Sequence, residues 1–233
     1  MEIKDTLFII PARGGSKGLP RKNILPINGK PMIYYSIDAA RGVTSDENIC
    51  VSTDDIEIKK IVEDYKLTVP FLRPESLATD FVGSREVIIH AHQFYKNHLN
   101  RSYTKICLLQ PTSPLRNFQH IIAAYKLWND ELDMVVSVKE SKANPYFNLF
   151  EEDSNGLLVK SKKGNFLSRQ STPRVWQFNG AIYLINVVTI CKNQISEFNR
   201  VKKYIMDDCS SIDIDTLIDM QLAELVIKKS KLL

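Results

Sequence analysis

Residues 7–23, LFIIPARGGSKGLPRKN, combine an apolar run with a glycine-rich basic segment. The four consecutive apolar residues, 7–10, are typical of a strand that is buried on both faces. The loop that follows holds three glycines, four cations, a serine and an asparagine. Glycines let the backbone approach a ligand and present successive N–H groups to an anion, while Arg and Lys add positive charge. The stretch therefore predicts a buried strand followed by a phosphate-binding loop, the alternative being a basic turn in solvent.

Short apolar runs recur along the chain with segments of helical period between them. The further predicted strands are ICVS at 49–52, VPFL at 69–72, KICLL at 105–109, DMVVSV at 133–138 and AIYLI at 181–185. Apolar residues at helical spacing fill 58–65, 87–95 and 121–128. Strands that alternate with amphipathic helices predict an α/β fold with a mostly parallel sheet flanked by helices. Such a sheet binds ligands at the carboxyl ends of its strands, so we expect the site in the loops after them.

Composition narrows the class of protein without naming a ligand. The chain has 233 residues, 44% hydrophobic and 25% charged, which are ordinary values for a globular α/β protein. Its net charge of +4 is too small to indicate nucleic acid as a partner. The four cysteines show no zinc-binding spacing, and no apolar run approaches the ~20 residues of a membrane span. We therefore expect a soluble cytoplasmic protein with free thiols and no nucleic-acid or membrane partner.

Residues 139–178 interrupt the alternation of strands and helices. This segment is polar and rich in turn residues, such as Asn144-Pro145 and Asp153-Ser154-Asn155-Gly156. It is either a long surface excursion or an arm that packs on a second subunit. The predicted organisation is an α/β body, residues 1–138 and 179–233, with an excursion at 139–178.

A second motif, Ser211-Ile212-Asp213-Ile214-Asp215, places two carboxylates two residues apart. In an extended segment both would lie on one face, and Mg²⁺ is usually held by one or two carboxylates together with substrate phosphates. The competing interpretation is that Asp215 or Thr216 caps a following helix, for which Thr216-x-x-Asp219 is the typical pattern. That helix would bury Ile218, Leu222, Leu225 and Val226.

Three weaker signals lie elsewhere in the chain. Pro111 and Pro114 would fix the backbone after a strand and hold Gln110 in one position, although the same residues suit an ordinary turn. Arg169 could be a surface charge, and Tyr183 could be a core residue. The four histidines form no metal-binding or catalytic pattern, and no G-x-S-x-G motif supports a covalent mechanism.

Taken together, the motifs resemble those of the acylneuraminate cytidylyltransferase family. The similarity covers nearly the whole chain in order: ARGGSKGLPRKN at 12–23, STD at 52–54, LRPESLATD at 72–80, LLQPTSPLR at 108–116, NGAIY at 179–183 and SIDID at 211–215. The resemblance implies a Rossmann-like fold of the nucleotide-diphospho-sugar transferase type. It also implies a homodimer whose arm, here 139–178, contributes to the neighbour's site.

The resemblance further implies a reaction in which CTP and a nine-carbon acid sugar give a CMP-sugar and pyrophosphate, with Mg²⁺. By position, the residues implied around the triphosphate and ribose are Arg13, Ser16, Lys17, Lys22 and Asn23. Those implied beside the cytosine and ribose are Arg73 and Ser84, those at the sugar site are Gln110, Arg169 and Tyr183, and the metal ligands are Asp213 and Asp215, with Asn179 as a further binding residue. Where some members have an arginine just before Asn179, this chain has Val175-Trp176-Gln177-Phe178, which leaves the acyl sugar undecided.

Such a displacement requires mainly positioning and charge neutralisation from the protein. We expect Arg13 and Lys22 to offset triphosphate charge, with Lys17 and Arg21 facing it too, and Asp215 to assist deprotonation of the sugar hydroxyl. Three alternatives stay open. They are the same reaction on legionaminic, pseudaminic or 3-deoxy-manno-octulosonic acid, a glycosyltransferase that uses a CMP-sugar, and a nucleotide-sugar sensor without catalysis.

Overall fold

The computed structural model describes residues 2–16 and 18–230, with only the backbone at 230. The strands are β1 (Thr6–Pro11), β2 (Pro26–Ile27), β3 (Lys30–Pro31), β4 (Ile49–Ser52), β5 (Lys105–Leu108), β6 (Met134–Glu140), β7 (Phe150–Glu152), β8 (Leu158–Lys160), β9 (Trp176–Asn186) and β10 (Val201–Ile205). The α-helices are α1 (Met32–Arg41), α2 (Ile56–Asp64), α3 (Ser84–His98), α4 (Phe118–Tyr125), α5 (Val187–Lys192) and α6 (Leu217–Ser230).

The central sheet has six strands in the order β10-β6-β9-β5-β1-β4. Five of them run in the same direction, and β9 runs antiparallel to both of its neighbours, β5 and β6. Alternate residues of the strands face two helical layers, one of α1, α2 and α4 and the other of α3 and α5. The predicted mostly parallel sheet flanked by helices is therefore confirmed.

One predicted strand, 69–72, is wrong. Val69 and Phe71 are buried, but the segment joins no strand of the described sheets. Pro70 lacks the N–H that a central strand must donate, and Pro74 follows closely, so the run packs into the core as irregular chain. Its end is nonetheless fixed, because the Arg73 N–H donates to the Thr53 carbonyl over 2.7 Å.

The predicted apolar face of the last helix is also wrong. Helix α6 buries Ala223 and Ile227 in a small cluster that contains Ile27, Met32 and Ile214. Four of its other apolar residues stay exposed, namely Leu217, Ile218, Leu222 and Leu225, with Ile218 at 75%, while Met220 and Val226 are half-buried. This helix thus carries a second apolar stripe that the single chain leaves uncovered.

The excursion is shorter than predicted. Lys139 and Glu140 belong to β6 and pair with Gln177 and Trp176 of β9, so both ends of the range 139–178 are parts of the sheet. The segment between these two strands is 141–175, which we call the arm, and its only regular strands are the hairpin β7-β8. Among the described residues, no helix is long and apolar enough to cross a membrane.

Candidate active site

A cavity of about 480 Å³ opens at the carboxyl ends of β1 and β5. Most of the residues that the sequence pointed to line it: Arg13, Ser16, Lys22, Asn23, Arg73, Ser84, Gln110, Asp213 and Asp215. Four separate stretches of the chain therefore supply one site, as the rule for open α/β sheets predicts. Lys17, another predicted phosphate contact, lies outside the described residues.

The glycine loop after β1 is held in place by polar side chains and by close packing. Asp54 accepts a hydrogen bond from the Gly14 N–H over 3.2 Å, and the Asn23 amide donates to the Arg13 carbonyl over 3.0 Å. At Gly18, a Cβ would lie 2.6 Å from the backbone oxygen of Asp215. Glycine at this position lets the loop touch the segment that bears the two carboxylates.

Arg21 anchors the glycine loop and does not face the cavity as expected. Its guanidinium pairs with Asp55 at 2.5 Å and also with Glu57, at the start of α2. Asp55 caps that helix by accepting the N–H groups of Glu57 and Ile58. Burial raises the pKa of Asp55, but the Arg21 and backbone hydrogen bonds outweigh it and hold the pKa below its usual value.

The cations that line the cavity each lie beside a carboxylate. Arg13 pairs with Asp80 at 2.8 Å, and Lys22 pairs with Asp215 at 2.7 Å. Arg73 is buried, with Nη2 3.5 Å from the Asp54 carboxylate and with Nε lacking a hydrogen-bond partner among the described residues. Burial lowers the pKa of Arg73, against the opposing pull of Asp54. A polyanion entering this cavity meets three positive groups whose present partners it can replace.

Asp213 is the buried acidic group of the cavity. Burial raises its pKa first, and the neighbouring charge of Asp215 adds to that rise, while a hydrogen bond with Thr112 and the charge of Lys22 lower it. Its Oδ1 is buried and has no hydrogen-bond partner in the described part of the chain. The Ile214 N–H donates to the Thr112 carbonyl over 2.8 Å, which fixes the carboxylate segment against the loop after β5.

The cap of α6 leaves Asp215 available to the cavity. Thr216 and Asp219 bond to each other's backbone N–H groups, so they form the T-x-x-D cap that the sequence offered as an alternative. The Asp215 side chain takes no part in that cap and instead contacts Lys22. The helix cap of Thr216 and Asp219 and the carboxylate pair of Asp213 and Asp215 are therefore both present.

Two of the predicted binding residues, Asn179 and Tyr183, are not among the residues that line the cavity. Asn179 is buried, donates to Ser211 Oγ over 2.9 Å and accepts from Ser137 Oγ over 2.6 Å. Its amide is thus used within the protein and holds the segment that begins at Ser211. Tyr183 is half-buried and packs edge-on against Phe178, and the Asp213 charge adds to the burial that raises its pKa.

Arg169 does not reach this cavity in a single chain. It is exposed in the arm and lines a separate cavity of about 470 Å³ with Arg174, Asn144 and Glu140. The expectation that it shares a site with Gln110 is therefore not met within one copy of the chain.

Sequence reasoning missed the acidic residues that surround the cations. Asp54, Asp55 and Asp80 bond to the basic loop, and the neutral Thr112 bonds to Asp213, but none of the four was singled out as a functional residue. The signal was present, because Asp54 and Asp80 end two of the quoted motifs, STD and LRPESLATD. Carboxylates opposite an arginine-rich loop point to ion pairs that position the cations.

Comparison with known proteins gives concordant results. A cytidylyltransferase family model matches residues 7–231. The chain is 34% identical to the CMP-N,N'-diacetyllegionaminic acid synthase of Campylobacter jejuni over 98% of this chain and 97% of that protein. It is 37% identical to the N-acylneuraminate cytidylyltransferase of Escherichia coli over 93% of this chain and 51% of that protein. Its fold is similar to that of a CMP:2-keto-3-deoxy-manno-octonic acid synthetase complexed with CTP, with a TM-score of 0.68 at 16% identity over 97% of this chain and 99% of the other.

Proposed function

The chain belongs to the cytidylyltransferase family and is a nucleotidyltransferase, and we propose that it joins CTP to a nine-carbon acid sugar, forming a CMP-sugar and pyrophosphate. The observation that carries the proposal is the meeting of Arg13 and Lys22 with Asp213 and Asp215 in one cavity. The two relatives named above act, by their names, on an N-acylneuraminate and on N,N'-diacetyllegionaminic acid. These are the two acid sugars we put forward.

The cavity suits the nucleotide in its charge and its layout. Arg13, Lys22 and the glycine loop would bind the triphosphate through charge-assisted hydrogen bonds. Arg73 and Ser84, which also line the cavity, would contact the cytosine and ribose. The unpartnered Nε of Arg73 offers a buried donor for that role.

The two carboxylates fit a magnesium ion. The unpartnered, buried Oδ1 of Asp213 is an oxygen in need of a cation or a donor, and Asp215 lines the same cavity. No group of three or more potential metal-binding side chains occurs in the described residues, so substrate phosphates and water would complete the ligands. When bound, Mg²⁺ would neutralise phosphate charge and orient the triphosphate.

The transfer itself needs no covalent intermediate. The anomeric hydroxyl of the sugar attacks the α-phosphorus of CTP, the bond to the β-phosphate oxygen breaks, and pyrophosphate leaves in line. Arg13 and Lys22 would stabilise the charge that develops on the phosphates. Asp215, which is exposed to the cavity, would accept the hydroxyl proton, and Gln110 would orient the sugar.

A homodimer would bring Arg169 to a catalytic cavity. The arm exposes the apolar residues Leu149, Phe150, Leu157, Leu158 and Leu167. The second apolar stripe of α6 is likewise uncovered, and contiguous exposed apolar surface marks interaction sites. In this proposal the arm of one copy packs on its partner, and Arg169 meets the sugar carboxylate there. We place the reaction in the cytoplasm, where CTP is available.

Pyrophosphate release tests the proposed reaction. The protein is incubated with Mg²⁺, with one of the four nucleoside triphosphates, and with N-acetylneuraminic, N,N'-diacetyllegionaminic, pseudaminic or 3-deoxy-manno-octulosonic acid. Release that requires both CTP and one of the three nine-carbon sugars supports the proposal and names the sugar, whereas release with only the eight-carbon 3-deoxy-manno-octulosonic acid would contradict it. Transfer from a supplied CMP-sugar to an acceptor, without pyrophosphate, would instead indicate a glycosyltransferase. Gel filtration tests the dimer, which a monomer at micromolar concentration would contradict.

A further inference from the structure

Arg116 is a buried cation that the proposed reaction leaves unexplained. Its side chain is 1% exposed, and none of the ion pairs of the described residues involves it. Burial lowers its pKa to about 10, so the guanidinium is still charged at neutral pH. A buried charge without a counter-ion costs stability unless its hydrogen bonds offset that cost, so its contacts need an explanation.

The guanidinium of Arg116 joins three elements that meet behind the cavity. Nη2 donates to Ser36 Oγ of α1 over 2.7 Å and to the Gln110 carbonyl over 3.4 Å. Nε donates to the Ala181 carbonyl of β9 over 3.4 Å. Ser36 Oγ in turn donates to the same Gln110 carbonyl over 3.3 Å. A planar fork that spans three elements fixes their separation in a way that a single ammonium cannot.

The two carbonyls that Arg116 holds flank a tight contact within the site. Gly180, just before Ala181, has φ +78°, in the left-handed region that favours glycine. A Cβ at Gly180 would lie 2.8 Å from Gln110 Oε1 and 3.6 Å from Asp213 Oδ2. The Gln110 side chain therefore passes close over the β9 backbone beside Asp213, and a small shift of either carbonyl would move it.

We propose that Arg116 is a positioning residue that sets the Gln110 side chain for the acid sugar by holding the Gln110 and Ala181 carbonyls at a fixed separation. This inference rests on the proposed function, since it assigns the sugar to the wall that Gln110 forms. The nucleotide contacts Arg13, Lys22 and Arg73 lie on other loops of the cavity. We therefore expect loss of Arg116 to weaken binding of the acid sugar and to leave binding of CTP unchanged.

Three arginine variants test this role. Arg116→Met removes the fork at similar length, and Arg116→Lys keeps the charge without the fork. Arg101→Met is the control, because Arg101 also donates to a backbone carbonyl, that of Glu47, but precedes the amino end of β5, whereas Gln110 follows its carboxyl end. Steady-state kinetics are measured with CTP and with N-acetylneuraminic or N,N'-diacetyllegionaminic acid, whichever the wild-type protein converts, and the melting temperature is recorded for each variant.

We expect Arg116→Met to raise KM for the acid sugar roughly tenfold, the scale of one buried hydrogen bond left unmade, with KM for CTP near its wild-type value. We expect Arg116→Lys to raise KM for the acid sugar by less than Arg116→Met does, and Arg101→Met to leave both KM values unchanged. Equal rises in both constants would overturn the role, as would wild-type behaviour of Arg116→Lys.

If Arg116→Met does not fold, Ser36→Ala keeps the question open to test. It removes the hydroxyl that bonds to both Arg116 and the Gln110 carbonyl. We expect KM for the acid sugar to rise by less than in Arg116→Met. An unchanged KM for the acid sugar would overturn the proposal. A wild-type protein that releases no pyrophosphate with any acid sugar would refute the proposed function instead, and that result is obtained before any variant is made.

Discussion

The glycine loop and the arm carry cations of the same kind in opposite settings. In the loop, Arg13, Arg21 and Lys22 each meet a carboxylate from another part of the chain, at 2.5–2.8 Å. In the arm, Arg169 is exposed and has no ion pair among the described residues. The loop's backbone is fixed by Asp54 and Asn23, whereas the arm is joined to the body through the ends of β6 and β9.

A single chain therefore organises the proposed nucleotide half and the proposed sugar half of the site unequally. The nucleotide half is preorganised, because its cations are already oriented by partners that a phosphate can replace. The sugar half has Gln110 in place but lacks a cation for the sugar carboxylate in the described cavity lining beyond the nucleotide contacts. A second copy that supplies Arg169 would remove this imbalance.

The largest effect should come from the carboxylate that sits in the preorganised half. Asp213→Asn keeps the shape of the side chain but loses its charge, so we expect kcat to fall on the order of 10²–10³-fold, the scale of one electrostatic contact to the transition state. Pyrophosphate release measures it. Asp208→Asn is the control, because Asp208 lies on the same segment in an exposed pair with Lys142, and such pairs contribute roughly 0–1 kcal/mol. Equal losses in both variants would remove the special role of Asp213.

A smaller loss should follow from a methyl group in the glycine loop. The Cβ of Gly18→Ala would lie 2.6 Å from the Asp215 backbone oxygen, so loop and carboxylate segment must separate. We expect kcat/KM for CTP to fall roughly 10- to 100-fold, as misplacement by about 1 Å does. At Gly15 a Cβ meets no heavy atom within 4 Å, so Gly15→Ala should retain far more activity. Similar losses in both would mean that packing against Asp215 is not what selects glycine.

The smallest effect concerns the anchor of the loop and is seen in stability. Asp55→Ala loses both the cap of α2 and the partner of Arg21, and we expect a loss on the order of 1 kcal/mol, whereas Asp55→Asn keeps the cap. Because the folded pKa of Asp55 is lowered, its contribution is present above the unfolded value of about 3.9 and disappears as the pH falls through the folded value.

Urea unfolding between pH 3 and 7 checks this sign. The wild-type protein should lose stability relative to Asp55→Asn as the pH falls below about 4. The Asp55 carboxylate is protonated in that range, whereas the amide that replaces it in the variant does not titrate. Parallel curves for the two proteins would show that the Arg21 pair adds nothing to the cap.

The central strands of the protein could be predicted from sequence, because a strand that is buried on both faces has a continuous run of apolar residues. The apolar runs at 7–10, 49–52, 105–109, 133–138 and 181–185 are all strands, since each crosses a sheet covered on both faces. Strand β10 was missed because its sequence, VKKYI, is short and polar, with two adjacent lysines in a mostly exposed strand at the edge of the sheet. The strand predicted at 69–72, which contains Pro70, and the predicted buried face of α6 were both wrong. Hydrophobicity does not show whether a partner strand or a second copy covers a residue.

The site was predictable where residue types carry the chemistry. Glycines with cations, and paired carboxylates, indicate phosphate and metal contacts, and the structure brings Arg13, Lys22, Asp213 and Asp215 to one cavity. The roles of Arg21, Asn179 and Arg116 could not be read, because each depends on which backbone groups the fold places nearby. A basic or amide side chain has the same appearance in sequence whether it binds a ligand or the protein itself.

Subunit mixing tests most directly the claim that the arm completes a partner's site. Arg169→Ala keeps Asp213, and Asp213→Asn keeps Arg169, so a heterodimer has one site with both groups if Arg169 acts across the interface. Equimolar co-refolding of the two variants should then restore about a quarter of wild-type pyrophosphate release, because half of the dimers are mixed and each has one intact site. Activity no greater than the mean of the two separate variants would contradict the account and place Arg169 in its own chain's site or in none.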